Sequence, residues 1–301
     1  MNSYTHFKDI LVCPYSLGPL TFMPDKAVSE VTKDEYPILD GQIDMRLKRA
    51  KNVTVDFVLG QELDTSKVSF KVIEDDPDAT VNFDDMSVPH HLSRDVMSYF
   101  PKAKSPDCYA LDLGSGTGLH QGVCERAGYK YISLDYNSKK ASLKGDAHAL
   151  PFADNTFDFI ISISVMEHVQ YPWIMTQEVR RVLKPGGRFI ATLSFLEPFH
   201  DNSYYHVSHL GVLTNLKVGG FDKIKVLSPN YGWEGMEAVS IMHYFSALPW
   251  WLVRAIIWPY MALHKLWWKY AQITKKIHWH PFTPEYRLLA SSGSFIFVVD
   301  K

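Results

Sequence analysis

Apolar and polar residues change rhythm several times along the chain, and each change predicts an element. ILVCPYSLGPLTF and YPILDGQIDMR, within the first 45 residues, are short apolar runs punctuated by Pro and Gly, the pattern of a small β-rich module. From about 46 to 89 the sequence turns polar, and EDDPDATVNFDD carries too little apolar surface to build a core. This stretch reads as a linker with at most one helix. In HHLSRDVMSYF the residues Leu92, Val96, Met97 and Phe100 recur at helical spacing before Pro101, which predicts a helix packed on a sheet.

From about residue 105 strand and helix signals alternate: YALDLG, a helix around 119 to 127, YISLDY, FDFIISIS, a helix around 172 to 183, and GRFIATLS. Alternation of this kind predicts a parallel sheet with helices on both faces. An unbroken apolar run such as FDFIISIS suits a strand covered on both sides. DKIKVLS and SFIFVVDK add two strands, and between them the segment 229 to 292 is too long for a simple connection. Most of the chain's eight tryptophans fall there, so a helical aromatic insertion is expected before the last strand. The expected organisation is a module over 1–45, a linker over 46–89 and an α/β domain over 90–301.

With 301 residues and 46% hydrophobic content the chain can bury a full core. A net charge of -2 gives no global attraction for nucleic acid or an anionic membrane, so any such partner must be held by a local patch. Cys13, Cys108 and Cys124 are too few and scattered for a disulfide framework, which fits a reducing compartment. The N-terminus lacks the long apolar core of a secretory signal. A cytoplasmic protein is expected.

The strongest chemical signal is the apolar strand YALDL running into Gly114-Ser115-Gly116-Thr117-Gly118. Glycines let the backbone turn sharply and approach a ligand, and a following helix offers unpaired N–H groups. Dinucleotide enzymes use the same device. Here the spacing is G-x-G-x-G with Asp112 beside it. A carboxylate there would repel a pyrophosphate but could accept from a cationic amino-acid ligand, which favours a methionine-derived ligand over NAD.

Asp135, followed by Tyr136, lies 17 residues after Gly118 at the end of a strand, where a carboxylate can take both ribose hydroxyls of a nucleoside. In GDAHALPF, Asp146 can accept from an adenine amino group and the Ala147 N–H can donate to a ring nitrogen. Ser162 and Ile163 close the next strand, before Met166-Glu167-His168-Val169, and LKPGGRF follows a helix later.

In order and spacing, LDLGSGTG, GDAHALPF, MEHV and LKPGGRF resemble the class I S-adenosylmethionine-dependent methyltransferases, in the branch with quinone-biosynthesis and other small-molecule enzymes. The resemblance covers about 105 to 228 and the terminal strand. It implies a doubly wound, Rossmann-like, mostly parallel sheet of seven strands with the last antiparallel, and S-adenosyl-L-methionine across the carboxyl ends of the strands. Asp112, Gly114, Ser115, Gly116 and Gly118 would frame the methionine portion, Asp135 and Tyr136 the ribose, Asp146 and Ala147 the adenine, and Ser162 and Ile163 the floor beneath the sulfonium. YHVSHLGVL and GGFDKIKVLS look like the family's final helix and sixth strand.

Methyl transfer is an in-line displacement in which positioning and desolvation do most of the work, so a general base is optional. If the acceptor is a hydroxyl, His168 is the first candidate base; its alternative reading is a helix-start residue that packs or caps. Glu167 could bind a ligand or oppose a helix dipole. One of His200, His206 and His209 could line the acceptor side.

At the N-terminus, CPYSLGPL and YPILDGQI resemble the zinc-ribbon-like module of the activator protein of tRNA methyltransferases, but Ser16 stands where metal-binding members carry a second cysteine. One thiol cannot assemble a tetrahedral thiolate site, so no metal is expected; stoichiometric zinc in chelator-washed protein would overturn that. In the insertion, Arg254, His264, Lys265 and Lys269 and two prolines interrupt the apolar run over 244 to 273, which disfavours a spanning helix. Arg254, Lys265, Lys269 and Gln272 share a narrow helical sector, a pattern suited to a membrane interface or, equally, to a lid. Pro259 is expected to kink it.

A transferase acting on a small molecule, lipid or glycan precursor is the leading expectation. The rivals are a noncatalytic partner-binding protein of the same fold and an RNA methyltransferase. Against the last, Ser162 to Val165 form no N-P-P-Y-type motif and there is no Pro-Cys nucleophile, and the global charge gives no support for tracking a phosphate backbone. Nucleic acid is therefore not favoured as a partner.

Overall fold

The computed structural model describes residues 4–57, 81–198, 202–222, 224–229, 234–274 and 284–301. Four short strands come first: β1 (Leu20–Phe22), β2 (Lys26–Ser29), β3 (Glu35–Leu39) and β4 (Gln42–Asp44). Then follow α1 (Arg94–Ser98), β5 (Tyr109–Leu113), α2 (Gln121–Arg126), β6 (Lys130–Asp135), β7 (Leu143–Lys144), β8 (Phe157–Ile163), α3 (Pro172–Val182), β9 (Leu183–Ser194), α4 (His209–Val218) and β10 (Ile224–Pro229). The last stretch comprises α5 (Gly235–Val239), a π-helical turn Ser240–Tyr244, α6 (Trp250–Thr274), α7 (Pro284–Ser291) and β11 (Ser294–Asp300).

All eleven strands belong to one sheet in the order β1-β2-β3-β4-β7-β6-β5-β8-β9-β11-β10. From β4 to β9 neighbours run parallel, and β11 lies antiparallel between β9 and β10. The chain leaves β5 for β6 on one side and reaches β8 on the other, so the sheet has a switch point at β5. Ligands of open α/β sheets bind outside the carboxyl ends of the strands at such a point.

Period-two alternation along the central strands explains why both faces are covered. Leu111, Leu113, Ile160 and Phe189 pack with Val179 of α3 and Leu216 of α4. Their neighbours Ala110, Phe159, Ile161 and Ile190 pack on the opposite face with Met97 of α1, Phe100 and Val123 of α2.

One expectation needs correction. The four N-terminal strands, expected as a small separate module beside a seven-stranded sheet, continue the sheet of the seven strands β5 to β11. Ile43 and Asp44 pair in parallel with Leu143 and Lys144, and Tyr36, Ile43 and Met45 are buried in the same core as Leu134 and Leu143. A 45-residue unit buries too little surface alone; sharing the sheet removes that shortage and covers the edge of β7, itself two residues long. The polar stretch 46–89 is likewise anchored at its described ends. Tyr15 Oη accepts from the Lys48 and Arg49 amides, and Phe83 is buried edge-on against Phe100. Residues 58–80 lie outside the described residues.

Ser208 caps α4 in extended conformation, its Oγ accepting from the Gly211 amide. Ser208→Ala should therefore cost about 1 kcal/mol in denaturant unfolding; a loss indistinguishable from zero would show the cap to be idle.

Candidate active site

The glycine turn sits at the end of β5 because only glycine adopts its backbone without penalty: Gly114, Gly116 and Gly118 have φ of 77°, 53° and 79°. At Gly114 a Cβ would stand 2.4 Å from Val165 Cγ2. The turn is tied to β6 by Asp135, whose Oδ2 accepts from Gly116 N at 2.9 Å while Oδ1 accepts from the Asn137 and Ser138 amides.

Two cavities open above these strand ends. The first, about 720 Å³, is lined by Gly114, Asp135, Tyr136, Asp146, Ala147, His148, Ser164, Val165, His168 and Tyr204 among others. The second, about 880 Å³, is lined by Gly114, Ser115, Gly116, His120, Ile163, Ser164, Glu167, His168 and Glu197, with Ile241 and Met242 of the π-turn. Gly114, Ser164 and His168 belong to both, so the cavities adjoin at these three residues.

The residues expected to meet a nucleoside come together in the first cavity. Asp146 Oδ1 accepts from His148 N at 2.9 Å and lies 2.6 Å from His148 Nδ1. Burial pushes its carboxyl up, but the His148 hydrogen bonds outweigh burial and hold it below the usual carboxylate range. His148 Nε2 in turn accepts from the Tyr171 amide.

Other expected residues lie elsewhere. Asp112 lines neither cavity. It is fully buried beneath the turn, its Oδ2 accepting from Tyr131 Oη at 2.7 Å and lying 3.2 Å from His120 Nδ1. Burial, and then the Asp112 charge, raises the Tyr131 phenol far above its ordinary range. Gly118 also lines neither. Ser162 is buried, with its hydroxyl donating to Leu113 O at 3.0 Å, so it ties β8 to β5 and forms no floor. That place is taken by Ser164, which lines both cavities. Its φ of 54° is unusual for a residue with a Cβ, and its amide is held by Thr192 Oγ1 at 3.0 Å. Backbone strain of this kind clusters at functional sites.

His168 lies on the wall shared by the cavities. Glu167 faces the second and is fully buried in a 3₁₀ turn, Met166–His168. Its Oε1 accepts from Ser194 Oγ at 2.7 Å, and Oε2 has no hydrogen-bond partner among the described residues. Burial raises its carboxyl, the neighbouring Glu197 charge adds to the rise, and hydrogen bonds from backbone and Ser194 oppose it.

His206 and His209 line neither cavity; His209 stands edge-on to Phe295. His200 lies outside the described residues. The sequence pattern gave no warning of His120, two residues past the last glycine of the turn, or of His90 and His91, all on the second cavity. Among the described residues no three His, Cys, Asp or Glu side chains could hold a metal together. Cys13 is buried with its Sγ 3.3 Å from Tyr36 Oη.

Residues 111–191 match the family model of the methyltransferase domain. An uncharacterized methyltransferase of Mycobacterium leprae is 33% identical over 115 residues, 34% of this chain and 43% of that protein. One from Mycobacterium marinum is 36% identical over 114 residues, 32% of this chain and 44% of its own length. The chain thus spans less than half the length of these curated relatives. Among solved structures, a chain of the complex between the Haloferax volcanii Trm112 methyltransferase activator and a methyltransferase aligns at a TM-score of 0.43 and 15% identity, covering 70% of this chain and 88% of that one. Haemonchus contortus phosphoethanolamine N-methyltransferase 2, bound to phosphomonomethylethanolamine and S-adenosylhomocysteine, aligns at 0.42 and 16%, covering 68% and 51%. The segment that matches the methyltransferase model, residues 111–191, carries Gly114, Asp135, Asp146, Ser164, Glu167 and His168 of the site just described.

Proposed function

We propose that the protein transfers a methyl group from S-adenosylmethionine to a small molecule, lipid or glycan precursor. The observation that carries this reading is the pair of adjoining cavities, one lined by the carboxylates Asp135 and Asp146, the other by the buried carboxylate Glu167, with His168 on the shared wall. The first cavity falls within the roughly 300–1,000 Å³ usual for ligand sites.

The residues fit the cofactor. Asp135 spends three of about four carboxylate acceptor positions on amides, which leaves one for a ribose hydroxyl. Asp146 and the Ala147 N–H, both on the first cavity, would hold the adenine edge, and the turn at Gly114 and Gly116 would receive the methionine portion; nothing lies within 4 Å of a Cβ built at Gly116. Asp112 supports that turn from below. When bound, S-adenosylmethionine supplies an electrophilic methyl group on a sulfonium.

The chain's residues do the rest. Glu167 offers its open oxygen to a donor group of the acceptor in the second cavity, and His168 takes the acceptor's proton where the nucleophile is a hydroxyl. The N-terminal strands belong to the same reading as a degenerate zinc-ribbon-like module that holds its thiol without metal.

The test is calorimetry on the native protein with S-adenosylmethionine, S-adenosylhomocysteine and NAD, followed by incubation with methyl-labelled cofactor and a cell extract split into aqueous and lipid phases. Micromolar binding of the two sulfur nucleosides, roughly -8 kcal/mol, no binding of NAD, and label in one phase are expected. Absence of binding by folded protein would turn the reading to a noncatalytic partner-binding protein. Label in RNA would identify the rival enzyme.

A further inference from the structure

The insertion between β10 and β11 leaves a large part of one helix uncovered. Helix α6 runs 25 residues and continues through Pro259. Its buried positions, Val253, Ile257, Trp268 and Ala271, fall within an arc of about 60° at 100° per residue. Beside them Ile256, Tyr260, Leu263, Leu266, Trp267 and Tyr270 fall in an adjoining outer arc of about 120°, every one exposed, Leu263 by 64%. Trp258, outside that arc and between Lys265 and Lys269 around the helix, is 67% exposed. Water-exposed apolar surface on this scale marks an interaction site.

The flank between the two arcs carries Arg254, Lys265 and Lys269, and α6 contains no Asp or Glu. Arg254 pairs with Glu237, and Lys265 comes no closer than 3.9 Å to Glu234 with half its side chain exposed. No described helix is long and apolar enough to cross a membrane. A broad Trp, Tyr and Leu face bordered by cations is what an anionic bilayer surface accepts: the rings sit at headgroup level and the cations meet lipid phosphates. A protein partner would more commonly require a polar rim with charges of both signs.

Continuity with the site supports the same occupant. A third cavity, about 580 Å³, is lined by His264 of α6, Tyr244 of the π-turn, Leu196 and Glu197. Glu197 also lines the second cavity, so the cavity beside the uncovered helix shares a wall residue with the one that Glu167 lines.

We propose that α6 seats the protein on an anionic lipid surface, lying in the plane of the interface with its outer aromatic face immersed. The seating does not depend on the methyl-transfer reading.

The experiment is flotation of the full chain with vesicles of phosphatidylcholine, with and without phosphatidylglycerol, at low and high salt. Tryptophan emission, light scattering for oligomeric state and S-adenosylhomocysteine binding are measured alongside. Expected are flotation with the anionic vesicles, a blue shift of the emission, and weakening by salt. Lys265→Glu with Lys269→Glu should weaken binding by about 30-fold or more, from roughly fivefold for each cation lost near the surface. Leu263→Ser with Trp267→Ser should weaken it at least about tenfold. Both pairs are exposed, and unchanged thermal unfolding shows that the fold is kept. Absence of flotation by native protein, or a lipid-independent dimer whose emission vesicles do not shift, overturns the proposal, the second outcome assigning the face to another copy of the chain. Nucleoside binding without flotation would sink the membrane reading alone.

Discussion

Asp135→Ala is expected to weaken S-adenosylhomocysteine binding by about 10- to 100-fold while the protein stays folded. The carboxylate stands at the end of β6 with its Oδ1 on two amides of its own turn and its Oδ2 on Gly116 N. Its loss removes the acceptor for the ribose and also the link that sets the glycine turn against the first cavity. A hydrogen bond to a charged group contributes roughly 1.5–3 kcal/mol, so losing the one left for the ribose lowers affinity by about 10- to 100-fold. Asp135→Asn keeps one acceptor oxygen and should fall between the two. Calorimetry against the native protein decides it: a loss under about threefold for the alanine variant would mean that no ribose sits at this carboxylate, whatever else binds in the cavity.

The central sheet was legible because its signals are local and repeat. Apolar runs such as Phe157 to Ile163, alternating with helical stretches, specify strands covered on both sides, and the glycine turn fixes which strand ends carry the site. The role of β1 to β4 was not legible. A short strand bounded by turns reads the same whether it closes a small module or extends a distant sheet, and its pairing with β7 joins residues about 100 positions apart. Side-chain direction was the other hidden quantity. Ser162 and Ser164 share a strand end and a parity, yet the positive φ at Ser164 turns the chain, so the first is buried against Leu113 and the second opens on both cavities. His120 reaches the second cavity only because α2 starts there, a matter of three-dimensional placement that no spacing rule announces.

Glu167→Gln should slow methyl transfer by about 100-fold or more and at the same time make the protein more stable at neutral pH. The two effects share one cause. Ser194 Oγ lies 2.7 Å from Glu167 Oε1 and 2.8 Å from Glu197 Oε2, and a hydroxyl has one proton to give. Glu167 is fully buried, and that burial, with the Glu197 charge adding to it, makes it hold its own proton to a higher pH than a free glutamate. An acid whose folded-state pKa is raised above its ordinary 4.5 leaves stability intact at low pH and subtracts from it as pH rises from that value through the raised one. Glutamine removes the penalty because it is neutral throughout and its amide can donate to Ser194 Oγ. Thermal unfolding of native and variant protein should therefore coincide near pH 4 and separate above it, with the variant the more stable. A cationic acceptor entering the second cavity offsets the same burial cost by pairing with Glu167, which is why transfer, measured with the extract phase that takes label, should drop while S-adenosylhomocysteine affinity holds. Equal transfer by both proteins would remove Glu167 from the acceptor site, and a variant less stable at pH 8 than the native chain would remove the burial account of Glu167.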